Sequence, residues 1–185
     1  GELGAREING GLFNQLVSAY SQPHRHYHTL QHLRECLAHG EAASMLARRP
    51  AEVELALWFH DAVYETQRGD NEARSAEWAR ASVLAAGCAG EIAQRVAAMV
   101  LATQANELSS DNDTQLLLDV DLAILGASAS RFAEYERQVR AEYAHLTDAA
   151  FRDKLANFVR AQAAKKDAKS DSQALGEAVG QKLAK

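Results

Sequence analysis

No stretch of this 185-residue chain alternates apolar and polar residues long enough to make a half-buried strand, and Pro23 and Pro50 are its only prolines. That pattern predicts an all-α fold. Each proline stands where a helix can begin, because the amide hydrogen it lacks has no intrahelical acceptor in the first turn. The periodicity predicts about seven or eight helices, near residues 8–19, 23–39, 50–64, 71–86, 91–104, 114–125, 129–145 and 148–164. Gly40, Gly87 and Gly126 are plausible stops for three of them. No repeat recurs at a spacing of about 20–50 residues, which argues against a solenoid.

A 47% hydrophobic content over this length fills one core of ordinary size. Residues 1–162 are expected to form that single domain, and 163–185 a loosely packed or frayed tail. In the tail Ala, Lys, Ser, Asp and Gln dominate, Gly176 and Gly180 interrupt any helical pattern, and the apolar residues thin out to Leu175, Val179 and Leu183. A formal charge of −5, with both signs interspersed, gives no electrostatic reason to expect a nucleic-acid or membrane partner and favours a small-molecule substrate. Cys36 and Cys88 are too few and too far apart for a metal knuckle or a disulfide framework, and read as reduced structural thiols. Neither a leader-like N-terminus nor a run of about 18 apolar residues is present, so the cytoplasm is the expected compartment.

Three segments carry groups able to bind a metal: His24-Arg25-His26-Tyr27-His28-Thr29-Leu30-Gln31-His32, the pair His60-Asp61 within the apolar run Leu55–Tyr64, and Asp119-Val120-Asp121. Two ionisable groups beside Trp58 and Phe59 are expensive to bury unless something binds them, and a divalent cation would. Imidazole nitrogen and carboxylate oxygen suit zinc, manganese, iron, cobalt or nickel and leave coordination places for water or a substrate oxygen. On a helix beginning at Pro23, His28 and His32 lie four apart and share a face, as metal ligands or as a hydrogen-bonded pair. Asp119 and Asp121 diverge by about 200° around a helix, so only one can face a given site. Asp121 shares its face with Leu117, Ile124 and Leu125 and needs a partner if that face is buried.

With these segments in this order, the chain resembles the HD superfamily of metal-dependent phosphohydrolases, whose ligands are a His, a later His-Asp pair and a distant Asp. The similarity also takes in Asn71-Glu72, Ser75-Ala76 and Leu118-Asp119-Val120-Asp121-Leu122-Ala123-Ile124-Leu125-Gly126, and covers roughly the first three-quarters of the chain. The resemblance implies an HD-type helical bundle holding one divalent metal ion (Mn, Fe, Co, Ni, Zn or Mg) on His28, His60, Asp61 and Asp121, with His32 beside the site or serving a second metal. It also favours Asp121 over Asp119 as the last ligand. It further implies hydrolysis of a small phosphate substrate, a nucleotide above all, by water that the cation activates.

In that reading Asp61 and Glu72 are the candidate catalytic groups, Glu72 as acid or base through water. Asn71 and Glu72 are equally good helix-start chemistry with no functional content. Arg25, Arg68 and Arg74 are candidate phosphate clamps, since a guanidinium fork matches phosphate oxygens, although each alone is more often an ordinary solvated arginine. Asn106 stands where the family would place a further His, which favours a single-metal site. Two alternatives stay open: a non-catalytic HD module binding metal and nucleotide as a sensor, and a di-iron oxygenase, against which Asn106 argues.

Overall fold

The computed structural model describes residues 3–5, 10–105 and 107–167. Eight α-helices and no strand occur among them: α1 (Leu12–Tyr20), α2 (Leu30–Ala42), α3 (Pro50–Phe59), α4 (Asn71–Ala85), α5 (Gly90–Ala102), α6 (Asn112–Asp121), α7 (Ala129–Glu142) and α8 (Asp148–Asp167). Short 3₁₀ turns at Ser44–Leu46 and Leu122–Gly126 follow α2 and α6. The all-α expectation holds. None of these helices is long and apolar enough to cross a membrane.

α3 is apolar nearly all round and lies at the centre, with Val53, Ala56, Leu57 and Phe59 buried. It packs against α2, α4, α5 and α6. The main core gathers Leu16, Tyr20, Leu33, Leu57, Phe59, Val96, Val100, Leu116 and Leu117 from α1 to α6. α4 and α5 form a hairpin whose facing positions include Ala76, Ala79 and Ala93, small residues that allow close approach. Gly87, at φ 75°, ends α4, and the amide of Cys88 reaches back to Val83 O at 3.2 Å. That pairing of a left-handed glycine with a long backward hydrogen bond is the usual way to stop a helix.

Three expectations about helix ends are corrected. Pro23 lies in a turn and starts no helix; α2 begins at Leu30, with the Thr29 side chain accepting from Gln31 N as its N-cap. Gly40 lies inside α2, where an added Cβ would stand 2.7 Å from Leu57 Cδ1, so it serves the close crossing of α2 and α3. α3 ends at Phe59 and not near residue 64. α8 runs unbroken through the expected domain boundary at 162, and the rest of the expected tail, 168–185, lies outside the described residues.

A second, smaller cluster forms where α7 and α8 cover the segment before α2. Tyr27, Tyr135, Val139 and Phe151 are its buried members, with Phe132, Tyr143, Leu146 and Leu155 packed round them. Tyr27 joins the two clusters: its ring lies 4.7 Å from those of both Tyr135 and His32.

Candidate metal centre

Where the two clusters meet, side chains from three distant segments converge. His32 projects from the first turn of α2, His60 and Asp61 follow the last turn of α3, and Asp121 is the last residue of α6. His32 Nε2 lies 3.0 Å from His60 Nε2, 3.4 Å from Asp61 Oδ2 and 3.2 Å from Asp121 Oδ1. His60 Nε2 lies 3.1 Å from Asp61 Oδ2 and 3.5 Å from Asp121 Oδ1.

Ligands about 2.1 Å from one cation stand about 3.0 Å apart along an octahedral edge and about 3.4 Å apart along a tetrahedral one. The five separations fall on that scale. Both histidines are buried, whereas the side chains of Asp61 and Asp121 are 19% and 17% exposed, so the centre opens towards solvent on its carboxylate side. Burial opposes a positive charge on either imidazole. Even so, Cys36, Asp121 and Asp61 hold His32 well above the ordinary histidine value, and Asp61, Tyr20 and Asp121 do the same for His60. Burial likewise opposes charge on the two carboxylates, and the imidazoles around them hold both well below the ordinary range. A site that draws positive charge this strongly fits a divalent cation. The buried Tyr27 hydroxyl, which has no hydrogen-bond partner and sits in the fields of His32 and Asp121, is the kind of orphaned donor that a ligand or water at the centre would engage.

Local chemistry fixes these groups in place. His60 Nδ1 lies 2.7 Å from Leu57 O, which makes it the donor and leaves the Nε2 lone pair facing the other ligands. α3 stops at Phe59, but His60 keeps helical dihedrals (φ −54°, ψ −38°) and the amide of Ala62 closes a turn onto Phe59 O at 3.0 Å, so His60 and Asp61 are the two middle residues of that turn. The Asp61 amide donates to Tyr20 Oη at 3.2 Å, and its carbonyl accepts from Arg25 Nη1 at 2.7 Å. Arg25 also donates to His28 O at 3.1 Å and Ala62 O at 3.0 Å, while its guanidinium lies over the rings of Tyr20 and Tyr64. This buried arginine therefore holds backbone from two segments and is not free to clamp a phosphate, contrary to expectation.

The other assignments divide. His60, Asp61 and Asp121 come together as expected, with His32 in the place expected of His28. His28 stands outside the ligand cluster: it precedes the N-cap of α2, and its one ion-pair contact among the described residues is that of Nδ1 with Glu142 Oε2 at 2.7 Å, not one with Asp61 or Asp121. Asp119 accepts from Gln115 Nε2 at 2.8 Å, one turn back on α6. Arg68 is exposed and forked onto Asp70 at 2.7 and 2.6 Å, away from the centre. Arg74 is exposed and lines a separate cavity. Glu72 is half-buried in the first turn of α4, near enough to Tyr143 to add to the upward push that burial gives its hydroxyl. Asn106 lies outside the described residues.

Two neighbours escaped sequence reasoning. Cys36, four residues after His32, joins His32, His60 and Asp121 in a group whose ligand atoms all lie within 4.8 Å of one another and which could hold a metal ion. Its Sγ is 3.6 Å from His32 Nδ1 and 3.7 Å from Nε2. Near-equal distances set it beside the ring, off the lone-pair axis of either nitrogen, so Asp61 completes the tighter set.

Glu142, at the end of α7, is fully buried. Its Oε1 accepts from the consecutive amides of His26, Tyr27 and His28 at 2.8, 2.8 and 2.9 Å, and its Oε2 accepts from Tyr64 Oη at 2.9 Å as well as meeting His28. The His28 ring stacks on Tyr64 with centroids 4.0 Å apart. Its sequence signal was an acid on the apolar stripe of Tyr135 and Val139.

No known family's profile, no curated protein and no solved structure matches the chain.

Proposed function

We propose that the chain is a metal-dependent phosphohydrolase of the HD kind, acting on a nucleotide or another small phosphate ester. One observation carries this reading: His32, His60, Asp61 and Asp121, from three segments far apart in sequence, converge so that each imidazole Nε2 lies within 3.5 Å of the other and of both carboxylates, separations suited to ligands of a single cation. Two imidazoles and two carboxylates suit a divalent first-row ion and, at six-coordination, leave places open. A cation there would lower the pKa of a bound water towards neutrality and offset the charge that builds on a phosphoryl oxygen.

The chain's own residues supply the rest. Leu57 O keeps the His60 imidazole turned inward, and Arg25 and Tyr20 fix the backbone that carries Asp61. Glu142 holds His28 at the edge of the centre, close enough to Asp61 to help keep that carboxylate ionised. Glu72 faces the same region as Tyr143 and is the candidate to pass a proton through water.

Arg25 and Arg68 are engaged elsewhere and Arg74 lines another cavity, so none of the arginines expected to grip phosphate is available at the centre. A module that binds a metal and senses a nucleotide without turning it over fits that arrangement.

Elemental analysis of the purified protein tests the centre, with a stoichiometric metal expected in the wild type and lost in His60→Ala. Turnover of nucleoside mono-, di- and triphosphates with Mn, Co, Ni or Mg separates the readings. Hydrolysis abolished by Asp61→Ala supports the enzyme, and tight binding without product supports the sensor.

A further inference from the structure

A cavity of about 600 Å³ lies between α1, the start of α4 and the segment Ala62–Glu65, and none of the four metal-ligand candidates lines it. Its volume is in the range of ordinary small-molecule pockets, about 300–1,000 Å³. Three kinds of surface meet there. The half-buried indole of Trp78, held edge-on against Phe59 at 5.8 Å between centroids, supplies a flat apolar wall. Asn14, Gln15 and Ser18 on α1 offer amide and hydroxyl groups, and Gln22, whose Oε1 is taken by Arg25, offers its amide nitrogen.

Arg74 supplies a guanidinium with no ion pair among the described residues; Asp70, one turn before it, is already forked onto Arg68. One carboxylate, Glu65, also lines the cavity; it lies 3.9 Å from His24 Nε2 and would accept from an N–H donor on the occupant.

We infer that this cavity is a second ligand site, separate from the candidate metal centre, for a small molecule joining a nucleobase to a phosphate. The flat wall suits a base, the amides and Glu65 suit its polar edge, and the guanidinium suits phosphate oxygens. The cavity wall Ala62–Glu65 follows Asp61 directly, so an occupant rests on the strand of backbone that carries a metal-ligand candidate. The inference does not depend on hydrolysis or on metal binding.

The test is calorimetric titration of the full chain in EDTA with AMP, GMP, CMP, UMP and, for comparison, inorganic phosphate. At least one nucleotide is expected to bind with Kd below about 1 mM and more tightly than phosphate alone. Arg74→Glu, at an exposed position, is expected to weaken it at least tenfold. Ser18→Trp, which fills the cavity from an exposed helix position, is expected to abolish it. The inference is overturned if no nucleotide binds in that range, if binding appears only when a divalent cation replaces EDTA, or if both variants bind as the wild type does.

Discussion

Glu142→Gln is the most informative single perturbation, because it keeps the shape of the side chain and an oxygen for the three backbone amides while removing the charge. Burial pushes the Glu142 carboxyl up, but His28 and the amides of His28 and His26 outweigh it and hold it down at about 2 against an ordinary 4.5. A folded-state value below the unfolded one means that the stabilisation is complete above pH 4.5 and is lost as the pH falls towards 2. At about 1.4 kcal/mol per tenfold, the contribution is about 3 kcal/mol at pH 7 and about 1.4 kcal/mol at pH 3. For a chain of this length about 3 kcal/mol corresponds to about 6–12 °C in Tm. Urea titrations of wild type and Glu142→Gln at both pH values measure the gap directly. A gap under about 1 kcal/mol at pH 7, or one no smaller at pH 3, would refute the reasoning and make Glu142 a space-filling acid.

Arg25→Lys is expected to cost about 2–4 kcal/mol and to lower metal content, because an ammonium cannot span the carbonyls of His28, Asp61 and Ala62 as the guanidinium fork does; thermal melts and elemental analysis check it. Gly40→Ala should cost about 1–3 kcal/mol in urea, since its methyl would meet Leu57 Cδ1 in a closely packed helix crossing. Asp121→Asn should abolish metal uptake and Asp119→Asn should leave it intact, with equal uptake by both variants as the failing result. Adding a binding cation at about a hundredfold over its Kd should stabilise the wild type by about 2.7 kcal/mol and leave His60→Ala unmoved. A Tm that rises equally in both places the ion elsewhere.

The helices were legible because their signals are local. Pro50 at the head of an all-round apolar run gives α3, and the absence of alternation anywhere gives the fold class. Their ends were less so. Pro23 and Thr29 are both sound helix starts, and nothing within residues 23–29 says which prevails. What decides it is long-range: Glu142, more than a hundred residues away, gathers the amides of His26, Tyr27 and His28 into a non-helical turn, and a helix through them would leave that buried carboxylate without its donors. Gly40 misled for a related reason, since a glycine that lets two helices touch looks in sequence like one that ends a helix.

The same seven residues explain the exchange of His32 for His28 in the candidate centre. With the helix starting at Leu30, His32 falls in its first turn, facing α3 and α6, while His28 lies in the preceding turn, where its Nδ1 finds Glu142. The two histidines therefore divide the work: one faces His60, Asp61 and Asp121, and the other stacks on Tyr64 at the rim. His60, Asp61 and Asp121 were readable because an ionisable group in an apolar run declares itself. Choosing between two histidines four residues apart required the helix register, and the register is set by α7. A helix that contributes no metal-ligand candidate thus decides which imidazole can face the candidate centre. Its Glu142→Gln variant should for that reason disturb metal affinity as well as stability, although Glu142 lies outside the ligand cluster.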